Sequence, residues 1–209
     1  MELACNVRLK MINTIIFDIG NVLMHYDFMS YVRRLWNNDE KIVEKVTAAI
    51  WKTGYWNELD KGVDEDRIIS LMLAAEPEYA EETRITIENI GQTMSHADYA
   101  IPWVTELKER GYKILSLSNY SELTMRSNPS VLDFMPYMDG GVFSCYVRMV
   151  KPDPGIYQKI CDEYDRTPEN CVFIDDNYEN VCAAKEFGLN TIHFTGLAET
   201  KKELECFLS

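Results

Sequence analysis

The stretch Thr14-Ile15-Ile16-Phe17-Asp18-Ile19-Gly20-Asn21-Val22-Leu23 constrains this chain more than any other. A short, continuous run of β-branched and aromatic residues bounded by turn formers predicts a buried strand. The run delivers one carboxylate, Asp18, to its end. Burying an acid is costly unless a metal, a cluster of N–H groups or a cation compensates it. Ligands of open α/β sheets bind at the carboxyl ends of the strands, so Asp18 is the first candidate for chemistry. A carboxylate capping the Gly20-Asn21 turn is the plainer alternative. What else converges on the same place decides between them.

After Leu23 the pattern becomes helical, and residues 28–99 carry no convincing strand. Phe28, Val32 and Leu35 fit one helix, and Ile42, Val43, Val46, Ala49 and Ile50 a second. Ile68, Ile69, Leu71, Met72 and Leu73 fit a third, opened by Asp64, Glu65 and Asp66 as a helix N-terminus prefers. Ile85, Ile87, Ile90 and Met94 suggest a fourth, after Pro77. From Ile101 onward, strands at 112–117, 141–147, 171–174 and 189–194 alternate with helices at 103–110, 121–134 (interrupted at Pro129), 154–163, from Asp176 to Phe187, and 198–208. Such alternation predicts an α/β fold with a parallel, doubly wound, Rossmann-like sheet. Residues 11–27 and 100–209 would form that core domain. Residues 28–99 would be an inserted all-helical subdomain, and residues 1–10 an N-terminal extension.

Three more features fall at strand ends. Ser118-Asn119 follows the 112–117 strand, where free helix N–H groups suit an anion, although Ser and Asn also favour helix caps. Lys151 stands between Val150 and Pro152 at a helix start, where a cation is unfavourable unless an anion answers it. Asp175-Asp176 follows the 171–174 strand; two adjacent acids there repel each other unless a hard cation lies between them and Asp18.

In this order the four features resemble the motifs of the haloacid dehalogenase (HAD) superfamily. Phe17-Asp18-Ile19-Gly20-Asn21-Val22-Leu23 is similar to its first motif, Leu117-Ser118-Asn119 to its second, Lys151-Pro152-Asp153 to its third, and Phe173-Ile174-Asp175-Asp176-Asn177 to its fourth. The helical insert corresponds to the superfamily's helical cap of the C1 type. The resemblance implies that Asp18 is a nucleophile forming an aspartyl phosphate. It implies that Mg²⁺ is held by Asp18, the Gly20 carbonyl and Asp176, with Asp175 beside them. Ser118, the Asn119 backbone and Lys151 would bind phosphate oxygens. The expected substrate is a small phosphorylated metabolite, with a cap that closes over it. The Asp-x-Gly-Asn form is similar to a bacterial subgroup that includes α-D-glucose 1-phosphate phosphatase, so a sugar phosphate is expected.

One departure matters. Phosphatases of the superfamily usually carry a second Asp, a general acid/base, where this chain has Gly20; His25, Asp27 or a cap carboxylate such as Glu58 could replace it. A 2-haloacid dehalogenase, which also lacks the second Asp, is the enzymatic alternative, though it gives Asp175-Asp176 no role. A non-catalytic phosphate-binding or regulatory module is the other. Substrate choice would lie in a turn where Trp51, Tyr55, Trp56, Glu58, Asp60 and Lys61 cluster around Gly54 and Gly62.

Charge narrows the partners. With 21 basic and 34 acidic residues the net charge is −13, which disfavours nucleic acid and anionic membrane surfaces. Six cysteines without a Cys-x-x-Cys pair predict reduced structural thiols. With no apolar leader or membrane-length run, the expectation is a cytoplasmic monomer or small homo-oligomer.

Overall fold

A computed structural model describes residues 11–208; the extension expected at residues 1–10 lies outside the described residues. Strand β1, Thr14–Phe17, is buried at every position, as its unbroken apolar run requires. The chain then turns through Asn21, whose φ of +55° is one of the left-handed conformations that Asn tolerates. It continues as β2, Met24–Tyr26.

A helical block follows: α1 (Phe28–Leu35), α2 (Glu40–Thr47), a π-helical turn over Ala48–Lys52, α3 (Tyr55–Asp60), α4 (Glu65–Ala75) and α5 (Ala80–Glu88). Asp27, Asp39 and Asp64 cap α1, α2 and α4 by accepting backbone N–H groups, as N-cap residues do. Val32, Val43, Val46, Ile50, Trp56, Leu59, Met72 and Ile87 form the block's own core. The block closes with β3, Met94–His96, antiparallel to β2 with Met24 opposite His96. The sequence pattern contained no strand there, because three residues are too short to show a period. The turn expected around Gly54 and Gly62 is instead the helix α3 between these two left-handed glycines.

The rest alternates as expected: α6 (Ala100–Glu109), β4 (Lys113–Ser118), α7 (Glu122–Ser127), β5 (Gly140–Phe143), α8 (Ser144–Val147), α9 (Pro154–Glu163), β6 (Cys171–Asp175), α10 (Tyr178–Phe187), β7 (Asn190–His193) and α11 (Leu197–Leu208). One boundary moves. Residues 144–147 form a helical turn rather than the end of a strand, and the Ser144 hydroxyl at its start bonds the Asp60 carbonyl and the Tyr120 N–H. The strands pair in the order β5-β4-β1-β6-β7, all parallel. One face packs on Trp103, Val104 and Leu107 of α6 and Leu204 of α11. The other packs on Ile156, Tyr157 and Ile160 of α9 and Ala184 of α10. This is a doubly wound α/β sheet. Cys145, Cys161, Cys171 and Cys182 are free thiols, and no helix among the described residues is long and apolar enough to cross a membrane.

Candidate active site

Register brings the strand-end residues together. Phe17 pairs with Ser116 on one side and Ile174 on the other, so Asp18, Ser118 and Asp175 leave the sheet at one edge. Successive strands run to opposite sides of β1, which opens a crevice there. A cavity of about 280 Å³ fills it, lined among others by Asp18, Gly20, Ser118, Asn119, Lys151 and Asp176. Of the residues that the four motifs supply for catalysis, phosphate and metal, all except Asp175 line that cavity, and the buried Asp175 reaches Lys151 beside it.

Lys151 is the hub. It is 4% exposed, and its Nζ lies 2.9 Å from Asp18 Oδ1 and 2.6 Å from Asp175 Oδ2. Burial works against its charge, but the two carboxylates outweigh burial and hold its pKa above the ordinary lysine value. Two carboxylates of the site thus answer the charge that looked unfavourable before a helix. Asn119 fixes the lysine's backbone in a two-way clasp: its Nδ2 donates to Lys151 O at 3.0 Å, and Lys151 N–H donates to its Oδ1 at 2.8 Å. The Asn119 side chain therefore holds the neighbouring loop, leaving only its backbone for an anion.

Asp175 is fully buried. Besides Lys151 it accepts from the Asn177 N–H at 2.7 Å and from Asn180 Nδ2 at 3.2 and 3.1 Å. These donors occupy both of its oxygens. Asp176 is half-buried and accepts from Asn21 Nδ2 at 3.1 Å, while Asn21 Oδ1 accepts from the Tyr26 N–H. Burial raises the Asp176 pKa, and the Asn21 bond opposes the rise. Asp18 is pushed up to about 7, first by burial and then by Asp175 and Asp176, against the pull of Lys151. Ligand oxygens of Asp18, Asp175 and Asp176 lie within 4.8 Å of one another. Three carboxylates facing one lysine leave an excess of negative charge, and an all-oxygen donor set suits a small hard cation. The residues fit Mg²⁺.

The sequence did not single out Asn21, Asn177 and Asn180 as second partners of the acids; the Gly-Asn and Asp-Asn pairs looked like ordinary turns. His25 and Asp27 are exposed, and Asp27 is occupied in capping α1. Glu58 pairs with Lys61 at 2.9 Å. Neither His25, Asp27 nor Glu58 lines the cavity. From the helical block, Trp51, Trp56 and Asp60 do.

The family model for haloacid dehalogenase-like hydrolases matches residues 12–188. The chain belongs to the HAD-like hydrolases. Pyrophosphatase PpaX of Bacillus mycoides is 22% identical over 205 residues, 94% of this chain and 89% of that protein. (S)-2-haloacid dehalogenase 1 of a Pseudomonas species is 28% identical over 93 residues, 44% of this chain and 41% of that enzyme. Four further curated relatives, three mammalian bifunctional epoxide hydrolases and a fungal drimenol cyclase, are far longer, and the matched part spans 12 to 36% of their length. Among solved structures, a HAD family enzyme of Bacteroides thetaiotaomicron superposes with a TM-score of 0.73 at 18% identity, covering 92% of this chain and 98% of that one. A second structure of that enzyme, in complex with magnesium and inorganic phosphate, gives a TM-score of 0.66 at 18% identity over 87% of this chain and 93% of that one. Relatives of this HAD-like hydrolase thus include phosphate-handling enzymes and dehalogenases, and the site itself must separate the two.

Proposed function

We propose that this HAD-like hydrolase is a Mg²⁺-dependent phosphatase acting on a small phosphorylated metabolite through an aspartyl phosphate on Asp18. The observation that carries the reading is the excess negative charge of Asp18, Asp175 and Asp176 over Lys151. A displacement of halide from a 2-haloacid gives Asp176 no task, whereas phosphoryl transfer needs a cation between two like-charged reactants. Mg²⁺ bound by Asp18, the Gly20 carbonyl and Asp176, with Asp175 behind, would neutralise charge between nucleophile and phosphate.

The chain's own residues do the rest. Asp18 attacks phosphorus, as an activated carboxylate does. Lysine has three N–H donors; two go to Asp18 and Asp175, leaving one for a phosphate oxygen. Ser118 Oγ and the Asn119 N–H take the others. Residues 28–99 act as the cap, and Trp51 and Trp56, with ring centroids 5.3 Å apart, give the cavity an aromatic wall. That wall suits a sugar ring, and a hexose 1-phosphate is the substrate class we favour, on account of the Asp-x-Gly-Asn form. Free thiols at Cys145, Cys161, Cys171 and Cys182 suit the reducing cytoplasm.

Release of p-nitrophenol from p-nitrophenyl phosphate, with Mg²⁺ and with EDTA, tests the reading. Turnover that requires the ion is expected. Chloride release from 2-chloropropionate without phosphatase activity would overturn it in favour of a dehalogenase, and silence in both assays in favour of a binding module.

A further inference from the structure

Hydrolysis of a phosphate ester needs a proton for the departing oxygen and a base for the attacking water, and Gly20 offers no side chain for either task. Of the carboxylates that line the cavity, Asp18 and Asp176 already have tasks in this reading. Asp60 has none.

Asp60 is the last residue of α3 and projects from the helical block into the same cavity as Asp18, Gly20 and Lys151. Its backbone is fixed to the sheet. Ser144 Oγ donates to Asp60 O at 2.6 Å, and Ser144 Oγ in turn accepts the Tyr120 N–H at 2.9 Å. No side-chain hydrogen bond or ion pair to a described residue engages the Asp60 carboxyl. Its charged and titratable neighbours are Lys151, Asp18, Tyr26, Tyr120 and Cys145. Tyr26 carries a second sign that a polar ligand group belongs here. Its hydroxyl is buried with no hydrogen-bond partner, although the residue lines the cavity. A buried hydroxyl without a partner is costly, and a substrate hydroxyl would satisfy it.

We propose that Asp60 is the general acid/base of this enzyme, replacing from the cap side the carboxyl that Gly20 lacks; the proposal rests on the phosphatase reading. In the first step an Asp18 oxygen bonds to phosphorus and the bond from phosphorus to the ester oxygen breaks. That electron pair stays on the ester oxygen, which takes the Asp60 proton and leaves as an alcohol. In the second step water attacks phosphorus and gives a proton to the Asp60 carboxylate. The bond from phosphorus to Asp18 breaks, freeing inorganic phosphate and restoring Asp18 as a carboxylate and Asp60 as an acid. Burial, followed by the Asp18 charge, lifts the Asp60 carboxyl to about 7 against the pull of Lys151. Both protonation states are then accessible near neutral pH, where such a group works best.

The test compares wild type with Asp60→Asn on p-nitrophenyl, p-chlorophenyl and phenyl phosphate, in order of increasingly basic leaving groups. The value of kcat/KM reports the first transfer alone. Phenyl phosphate should lose on the order of 10²–10⁴-fold, the range of a lost general acid, and p-nitrophenyl phosphate far less. Loss of the base should also expose a burst of p-nitrophenolate on rapid mixing that wild type lacks. Gly20→Asp placed in Asp60→Asn should flatten the leaving-group dependence again, since a Cβ at Gly20 meets no atom within 4 Å. Should Asp60→Asn fail to fold in a thermal melt, Asp60→Ser carries the same comparison. An equal loss across the three esters, or no loss, overturns the role of Asp60 while the phosphatase reading stands. A wild type inert towards all three with Mg²⁺ overturns the phosphatase reading, and the proposal falls with it.

Discussion

Replacing Lys151 with Met keeps an unbranched side chain one atom shorter and removes its charge. At 2.9 and 2.6 Å from Asp18 and Asp175, each pair attracts by about 6 kcal/mol at an effective dielectric of about 20. Desolvation offsets most of that in the wild type. In the variant the desolvation remains and the attraction does not, because Asp175 stays fully buried. Breaking a buried pair from one side costs about 3–5 kcal/mol, which for a domain of this size lowers Tm by about 6–20 °C. The loss depends on pH in a definite direction. Asp18 already sits at about 7 with the lysine present, and without it the acid is raised further. A carboxyl whose folded pKa is raised favours the folded state at low pH, and that advantage is lost as pH rises through the folded value. The gap between wild type and Lys151→Met should therefore be widest near about pH 8 and shrink near about pH 5, where the orphaned Asp18 takes a proton. Urea denaturation in EDTA, followed by circular dichroism at both pH values, measures it. A gap below about 1 kcal/mol at the higher pH, the size of an exposed pair, would refute the reasoning. A gap equal at both pH values would do the same.

Three further outcomes are expected. Mg²⁺ should raise Tm more at about pH 8 than at about pH 6, because protons compete for Asp18 through its value of about 7; a shift that persists in Asp176→Ala would put the ion elsewhere. Asp18→Asn should abolish phosphatase turnover while melting no lower than wild type in EDTA at about pH 8, since the amide removes a charge that burial opposes; residual activity after excluding deamidation would sink its role as nucleophile. Gly62→Ala should cost about 1–3 kcal/mol, because Gly62 has φ +68° and a Cβ there would overlap the Cys145 carbonyl oxygen. A melt unchanged from wild type would contradict that contact.

The strand ends were legible in the sequence because buried strands state themselves locally: Ile15-Ile16-Phe17 and Val172-Phe173-Ile174 are runs that fit no other element. The acids at their ends stood out because an acid after such a run is costly. Short elements carried no such signal. Met94–His96 has too few residues for a period, and it exists because Met24–Tyr26 pairs with it. Gly54 and Gly62 made Tyr55–Asp60 look like a turn, although left-handed glycines also bound helices. Val142, Phe143, Tyr146 and Val147 have strand composition throughout, and only the bonds of Ser144 to distant chain show where the strand stops. Asp60 stood only as one member of a polar cluster for the same reason. Its neighbours Glu58 and Lys61 are equally polar, and only the docking of α3 shows which carboxyl enters the cavity.

Ser144 carries a consequence for how this chain can diverge. Its one hydroxyl donates to the Asp60 carbonyl and accepts the Tyr120 N–H while fully buried. Alanine would strand a donor on one segment and an acceptor on another, so replacements there are confined to side chains that can do both, in practice threonine. The helix that carries Asp60 and the loop that carries Asn119 are therefore not free to drift apart over generations. An exchange of the helical block for one from another lineage would succeed only where the newcomer presents a carbonyl at the same spot, so swapping specificity between relatives means transplanting the seam along with the wall.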